Sequence, residues 1–169
     1  MNTFIGTKMI KAKPMNRLEY NQYRGWDLPS DENGEDEGML VEYIDGGKSN
    51  HPNHEGYISW SPIDVFNRAY RPIDGITFGQ AIEALKQGKR VARQGWNGKN
   101  MFLFLLPAGT VPTKAIHDPA LRAVIEKEIG GETFDALGSI RMFTADKKIL
   151  TGWLASQTDM LAEDWVILD

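Results

Sequence analysis

The chain has 169 residues, 41% of them hydrophobic and 25% charged, with a formal net charge of −4 and no cysteine. That length suits one domain or two small ones. The composition excludes disulfides, thiolate metal sites and cysteine nucleophiles, and no apolar run approaches the roughly 20 residues of a membrane helix. The acidic excess lies in residues 1–74, which hold 8 Lys+Arg against 12 Asp+Glu, while the remainder balances at 11 of each. Neither part has the basic surplus needed to track a phosphate backbone, so no long nucleic-acid partner is expected. A small anionic ligand needs only a few local donors and stays open. The start, MNTFIGTKMIKAK, lacks the apolar core of a secretory signal. The absence of cysteine fits a reducing compartment.

In chain order, residues 1 to about 13 read as a strand through Phe4, Ile5, Met9 and Ile10. Asn16 and Glu19 have capping-box spacing for a short helix carrying Leu18 and Tyr23. Gly25 to Gly38 is a polar loop whose acidic run, Asp31 to Glu37, reads as solvated and lacks EF-hand spacing. Met39 to Ile44 and Gly56 to Trp60 are strand candidates, separated by the turn Asp45-Gly46-Gly47. His51 and His54 invite a metal reading, but Pro52 opposes a helix presenting both and no third ligand is evident, so a surface loop is expected. Ser61-Pro62 reads as a helix start, with Ser61 as cap and Val65, Phe66 and Ala69 on the helix face. Tyr20, Tyr23, Trp26, Tyr43, Tyr57, Trp60, Phe66 and Tyr70 are expected to form an aromatic core for this small part.

Tyr70 to Gly75 carries Pro and Gly between two helix signals, and a domain boundary is expected there. The division is a module over 1–72 and a second domain over 75–169. Thr77 and Gln80 repeat the capping-box spacing, and Phe78, Ala81, Ile82 and Leu85 fall on one helix face. Gly88 ends that helix, Arg90 to Arg93 alternates as a half-buried strand, and Met101 to Leu106 is an apolar strand. Between the strands, Gly95 and Gly98 flank Trp96-Asn97. Trp96 either caps the core or presents its face to a flat ring. Pro107 to Pro112 reads as a turn-rich link. Asp118-Pro119 opens a helix to about Ile129 with Leu121, Val124, Ile125 and Glu128 helically spaced, and Gly130-Gly131 closes it. Ile140 to Phe143, a turn at Asp146-Lys147, Ile149 to Leu154 and Trp165 to Leu168 complete the strands, with Ser156 or Thr158 capping one helical turn. The fold class is α+β, in two small domains that each pack a short antiparallel sheet with helices.

No phosphate loop, dinucleotide fingerprint, zinc-protease or serine-hydrolase motif is present. His117 is expected to be exposed, and Asp159, Glu163 and Asp164 have no companion base. The second domain instead holds binding groups. Trp96 and Trp153 can stack on a nucleobase. Asn97, Gln157 and Asp159 can hydrogen-bond base edges and ribose hydroxyls, and Arg93 and Lys99 can meet a phosphate. That set suits a nucleotide-like ligand held without turnover.

Two blocks, TFGQAIEALKQGKRVARQGWNGKNMFLFL and WLASQTDMLAEDW, resemble a small phage family once catalogued as a domain of unknown function and now known as Thoeris anti-defence proteins of the second type. The resemblance covers about residues 75–169. It implies α+β protomers assembled as dimers or tetramers, with ligand between protomers. It also implies tight capture, without degradation, of the cyclic ADP-ribose isomer that bacterial Thoeris defence makes as an alarm. Some members of the family also hold cyclic oligonucleotides made by cGAS-like enzymes. The family's GWN motif falls on Gly95, Trp96 and Asn97, and its second block on Trp153, Ser156, Gln157, Asp159 and Met160. The segment from about Thr113 to Leu137 is longer than a minimal member needs, and the module over 1–72 is extra. The expectation is a phage-encoded homo-oligomeric sponge in the host cytoplasm, without catalytic residues, metal or cofactor. The alternatives are a phage structural or adaptor protein and a nucleotide-cleaving enzyme.

Overall fold

A computed structural model describes residues 1–3 and 6–168. The chain divides into two compact units, Met1–Arg71 and Pro72–Asp169. Among the described residues no helix is long and apolar enough to cross a membrane.

The first unit is a three-stranded antiparallel sheet in the order β1-β2-β3, formed by β1 (Ile10–Pro14), β2 (Gly38–Tyr43) and β3 (Tyr57–Pro62). The expected N-terminal strand therefore begins only at Ile10, and the Phe4-Ile5 part of that expectation lies outside the described residues. Helix α1 (Arg17–Arg24) starts at Asn16, whose side chain accepts from the Glu19 amide while Glu19 reaches back to the Asn16 amide. This reciprocal cap satisfies two otherwise orphaned donors. The helix buries Tyr20 and Asn21, while Leu18 is exposed. Tyr20, Leu40 and Ile58 form the core, with Met15, Tyr23 and Trp60 packed against it.

Three expectations for this unit need correction. Ser61 does not cap a helix: it is the β3 residue opposite Met39, and α2 (Ile63–Ala69) begins after Pro62 with no side-chain cap. Strand pairing claims Ser61 before the helix can. Helix α2 buries none of its residues, so Val65, Phe66 and Ala69 are not a core face. Of the eight aromatics only Tyr20 is buried, and Trp26 and Tyr57 are exposed. Aliphatic Leu40, Val41 and Ile58 complete the interior. The acidic loop, by contrast, stays irregular as expected, with Glu32 paired to Arg17.

The second unit is built on a five-stranded antiparallel sheet ordered β10-β4-β5-β8-β9. Its strands are β4 (Val91–Arg93), β5 (Phe102–Leu106), β8 (Ser139–Phe143), β9 (Ile149–Thr151) and β10 (Trp165–Ile167). Helix α3 (Phe78–Lys86) starts with the expected Thr77–Gln80 capping box. It ends before Gly88, whose φ of 80° lies in the left-handed region that suits glycine. Ala81, Ala84 and Leu85 on the helix meet Val91, Leu103, Met142 and Trp165 on the sheet, with Phe78 and Ile82 packed at the edge of that core.

The segment expected to be a plain link carries strand β6 (Gly109–Pro112), which pairs with β7 (Thr133–Ala136). This two-stranded ribbon brackets a 3-10 turn at Thr113–Ala115 and helix α4 (Pro119–Glu128), which is capped by Asp118. Only Ile125 of α4 is buried, while Leu121 and Val124 are exposed despite their helical spacing. Because Leu106 stands opposite Ser139 in the sheet, residues 107–138 are an excursion between two adjacent strand ends.

Candidate functional site

The site is assembled where β4 ends beside β10. Their register sets Arg93 opposite Trp165, which brings Asp164 alongside the guanidinium. Arg93 donates from Nε to Asp164 Oδ1 at 2.8 Å and from Nη1 to Asp159 Oδ1 at 2.9 Å, and a further Nη1 bond reaches the Thr158 carbonyl at 3.2 Å. One planar cation thus ties the strand to two segments more than sixty residues away in sequence.

Asp159 is the hub. It sits in α5 (Gln157–Met160), a single turn started by the capping box of Ser156 with Asp159. Its Oδ1 accepts from Arg93 and from the Trp96 indole Nε1 at 3.1 Å, and its Oδ2 accepts from the Ser156 amide at 3.1 Å and hydroxyl at 2.6 Å. Its backbone carbonyl accepts from Trp165 Nε1 at 2.9 Å. Burial pushes its pKa up, but the bonds from Ser156, Arg93 and Trp96 outweigh that and hold it down at about 2. The Arg93 hydrogen bond likewise lowers Asp164, and the two carboxylates raise Arg93.

Trp96 is half-buried and its ring meets Trp165 and Trp153 edge-on, with centroids 5.5 and 6.2 Å apart. Trp153 is also half-buried, whereas Trp165 is fully enclosed. Gly95 makes room for the turn: its amide donates to Asp164 Oδ2 at 2.8 Å, and a Cβ there would stand 2.7 Å from the same oxygen. Any larger residue would push out the carboxylate that orders the loop.

An open cleft of about 610 Å³ runs beside this loop, lined by Trp96, Lys99, Arg90, Arg93, Phe102 and Phe143 among others. Among the described residues of the lining, three are cationic and none is Asp, Glu or His. Phe102 and Phe143 stack at 4.9 Å and form its apolar side. Such a wall can receive an aromatic ring, and the cations can receive phosphate.

The residues singled out from sequence fall into two groups. Arg93, Gly95, Trp96, Trp153, Ser156 and Asp159 are joined through hydrogen bonds or ring contacts. Arg93, Trp96 and Lys99 line the cleft. Asn97, Gln157 and Met160 are exposed, and they line neither the cleft nor the hydrogen-bonded hub. The Asp159 carboxylate is filled by protein donors, and its bond to the indole fixes the position of Trp96. Sequence reasoning missed Asp164, Arg90 and Phe143 as parts of the site. No local pattern marks them, because strand register alone brings them in.

A family model, the Thoeris anti-defense 2-like domain, matches residues 76–168. A protein of Bacillus phage SP01 named "Thoeris anti-defense 2" is 40% identical over 100 residues, covering 55% of this chain and 94% of its own length. The matched stretch holds the whole hub and the cleft, and it leaves the first unit outside.

Proposed function

The chain belongs to the Thoeris anti-defense 2-like family, and from that premise we propose that it captures a small cyclic nucleotide alarm in the host cytoplasm and holds it unchanged. The ligand is a cyclic ADP-ribose isomer, with cyclic oligonucleotides as a related class. The observation that carries this reading is the cleft: an indole and two stacked phenyl rings beside three cations, inside the family-matched segment. In this reading Trp96 stacks on the base and Lys99 with Arg90 meets the diphosphate, while Arg93, tied to Asp159 and Asp164, holds the Trp96 loop in place. Asn97 and Gln157 are exposed polar groups outside the cleft lining, open to a ligand or to a second protomer.

Storage rather than turnover fits the same geometry. The nearest acids are held ionised by hydrogen bonds, Asp159 by those from Ser156, Arg93 and Trp96 and Asp164 by that from Arg93, so at neutral pH neither has a proton to give. General acid–base work needs a group poised near the operating pH. Leu154, Met160 and Leu161 are exposed beside the hub, and a second copy of the chain would cover them. The site is then completed between protomers of a dimer or tetramer.

Calorimetric titration with a cyclic ADP-ribose isomer, followed by denaturation and mass measurement of the released ligand, tests the reading. Saturable binding and an unchanged mass are expected. New products would show an enzyme, and absence of both heat and thermal shift would favour an adaptor.

A further inference from the structure

The first unit contains a second arrangement of chemical groups. Glu42 on β2 points Oε2 at His54 Nδ1, 3.0 Å away, and His54 Nε2 lies 3.0 Å from the Tyr23 hydroxyl on α1. Glu42 Oε1 accepts from the amides of Glu55 and Gly56 at 3.0 and 3.1 Å. A carboxylate only accepts, so His54 donates from Nδ1 and its Nε2 faces the phenol. The segment is a loop, as expected, with Pro52 and Asn53 exposed and the two histidines half-buried. His51 stacks on Tyr23 at 4.4 Å, and its Nδ1 accepts from the Asn53 amide while its Nε2 meets the Tyr23 carbonyl. The Lys13 ammonium stands over the Tyr23 ring at 5.1 Å. Tyr23, His54, Glu42, Lys11 and Lys13 together line an open cleft of about 310 Å³.

We propose that this cleft is a proton-linked binding site for a phosphate-bearing small molecule, with Lys11 and Lys13 as its fixed cations and Tyr23 as its switchable donor. With His54 neutral, the Tyr23 hydroxyl donates to Nε2 and offers a ligand only lone pairs. With His54 protonated, Nε2–H donates to the Tyr23 oxygen, and the phenol hydrogen is released to a ligand oxygen. The Glu42 carboxylate, kept ionised by its bonds from His54 and Gly56, balances the imidazolium. The other charged or titratable groups facing His54 are His51, with ring centroids 5.5 Å apart, Tyr23, and the two lysines across the cleft. Anion binding and proton uptake then favour each other by linkage.

The test uses the full chain and inorganic sulfate, a tetrahedral dianion whose charge is constant between pH 6 and 8. The His54 ring signals are followed by NMR, which reports this cleft and not the one beside Trp96. The expected result is a saturable shift, several-fold tighter at pH 6 than at pH 8. The double substitution Lys11→Ala with Lys13→Ala, at exposed strand positions, weakens it by about tenfold or more. Tyr23→Phe, which keeps the ring, weakens it more at pH 6 than at pH 8. No saturable shift, equal affinity at both pH values, or full affinity in the lysine variant would each overturn the proposal.

Discussion

At the residue scale, Asp159 decides the site. Its two oxygens take four hydrogen bonds from Arg93, Trp96 and Ser156, so one carboxylate fixes an indole, a guanidinium and a helix start together. Asp159→Ala is expected to cost about 1–3 kcal/mol, because it leaves the Trp96 and Arg93 donors without this partner. Denaturant unfolding monitored by tryptophan emission measures the loss. The pH dependence has a definite sign. Asp159 sits near 2 in the folded chain against an ordinary 3.8, so its stabilisation is complete above about pH 4 and disappears as pH falls toward 2. The effect is on the order of 1–2 kcal/mol after solvent screening. Asp159→Asn should flatten the stability curve in that window, and an unchanged slope there would contradict the hub. Trp96→Ala tests the other end of the bond. The half-buried ring can be lost without unfolding the unit, while ligand affinity should fall by about 1–3 kcal/mol, the worth of one stacked base. Unfolding of that variant at room temperature would mean that Trp96 serves the core alone.

At the scale of elements, local signals were legible where neighbours in sequence satisfy each other. Thr77 with Gln80, Asn16 with Glu19 and Asp118 before Pro119 all cap helices as their spacing indicates. Reading failed where a distant strand outbid the local choice. Ser61 looks like a cap but pairs with Met39, and Gly109–Pro112 looks like a link but pairs with Thr133–Ala136. The same limit applies to the site. Trp96, Ser156 and Asp159 stand out by type and spacing, but Asp164 gains its role only because β10 lies beside β4. The excursion over 107–138 gives an element-scale prediction. Leu106 and Ser139 are already partners, so an Asn-Gly turn can join β5 to β8 directly. The shortened chain is expected to fold with the β5–β8 pairing intact and to bind ligand as the full chain does. Loss of folding would show that Ile125 and its surroundings are needed by the sheet.

At the scale of the whole molecule, a protein that captures a signal works by mass action. Free signal falls once protein exceeds both the signal and the dissociation constant, so slow release matters more than any rate acceleration. The chain has two compact units and the family match lies in the second; the proposed capture of the alarm belongs to the second unit and the proposed anion cleft to the first. Exposed Leu154 and Leu161 predict self-association through the second unit. Light scattering should give a mass of two or four chains, and Leu154→Lys with Leu161→Lys should reduce it to one. The most direct measurement is the fate of the ligand itself: a cyclic ADP-ribose isomer is bound, the protein is denatured, and the released molecule is weighed. Stoichiometric release at an unaltered mass is expected. Failure to bind, or recovery of a cleaved or hydrated product, would contradict it.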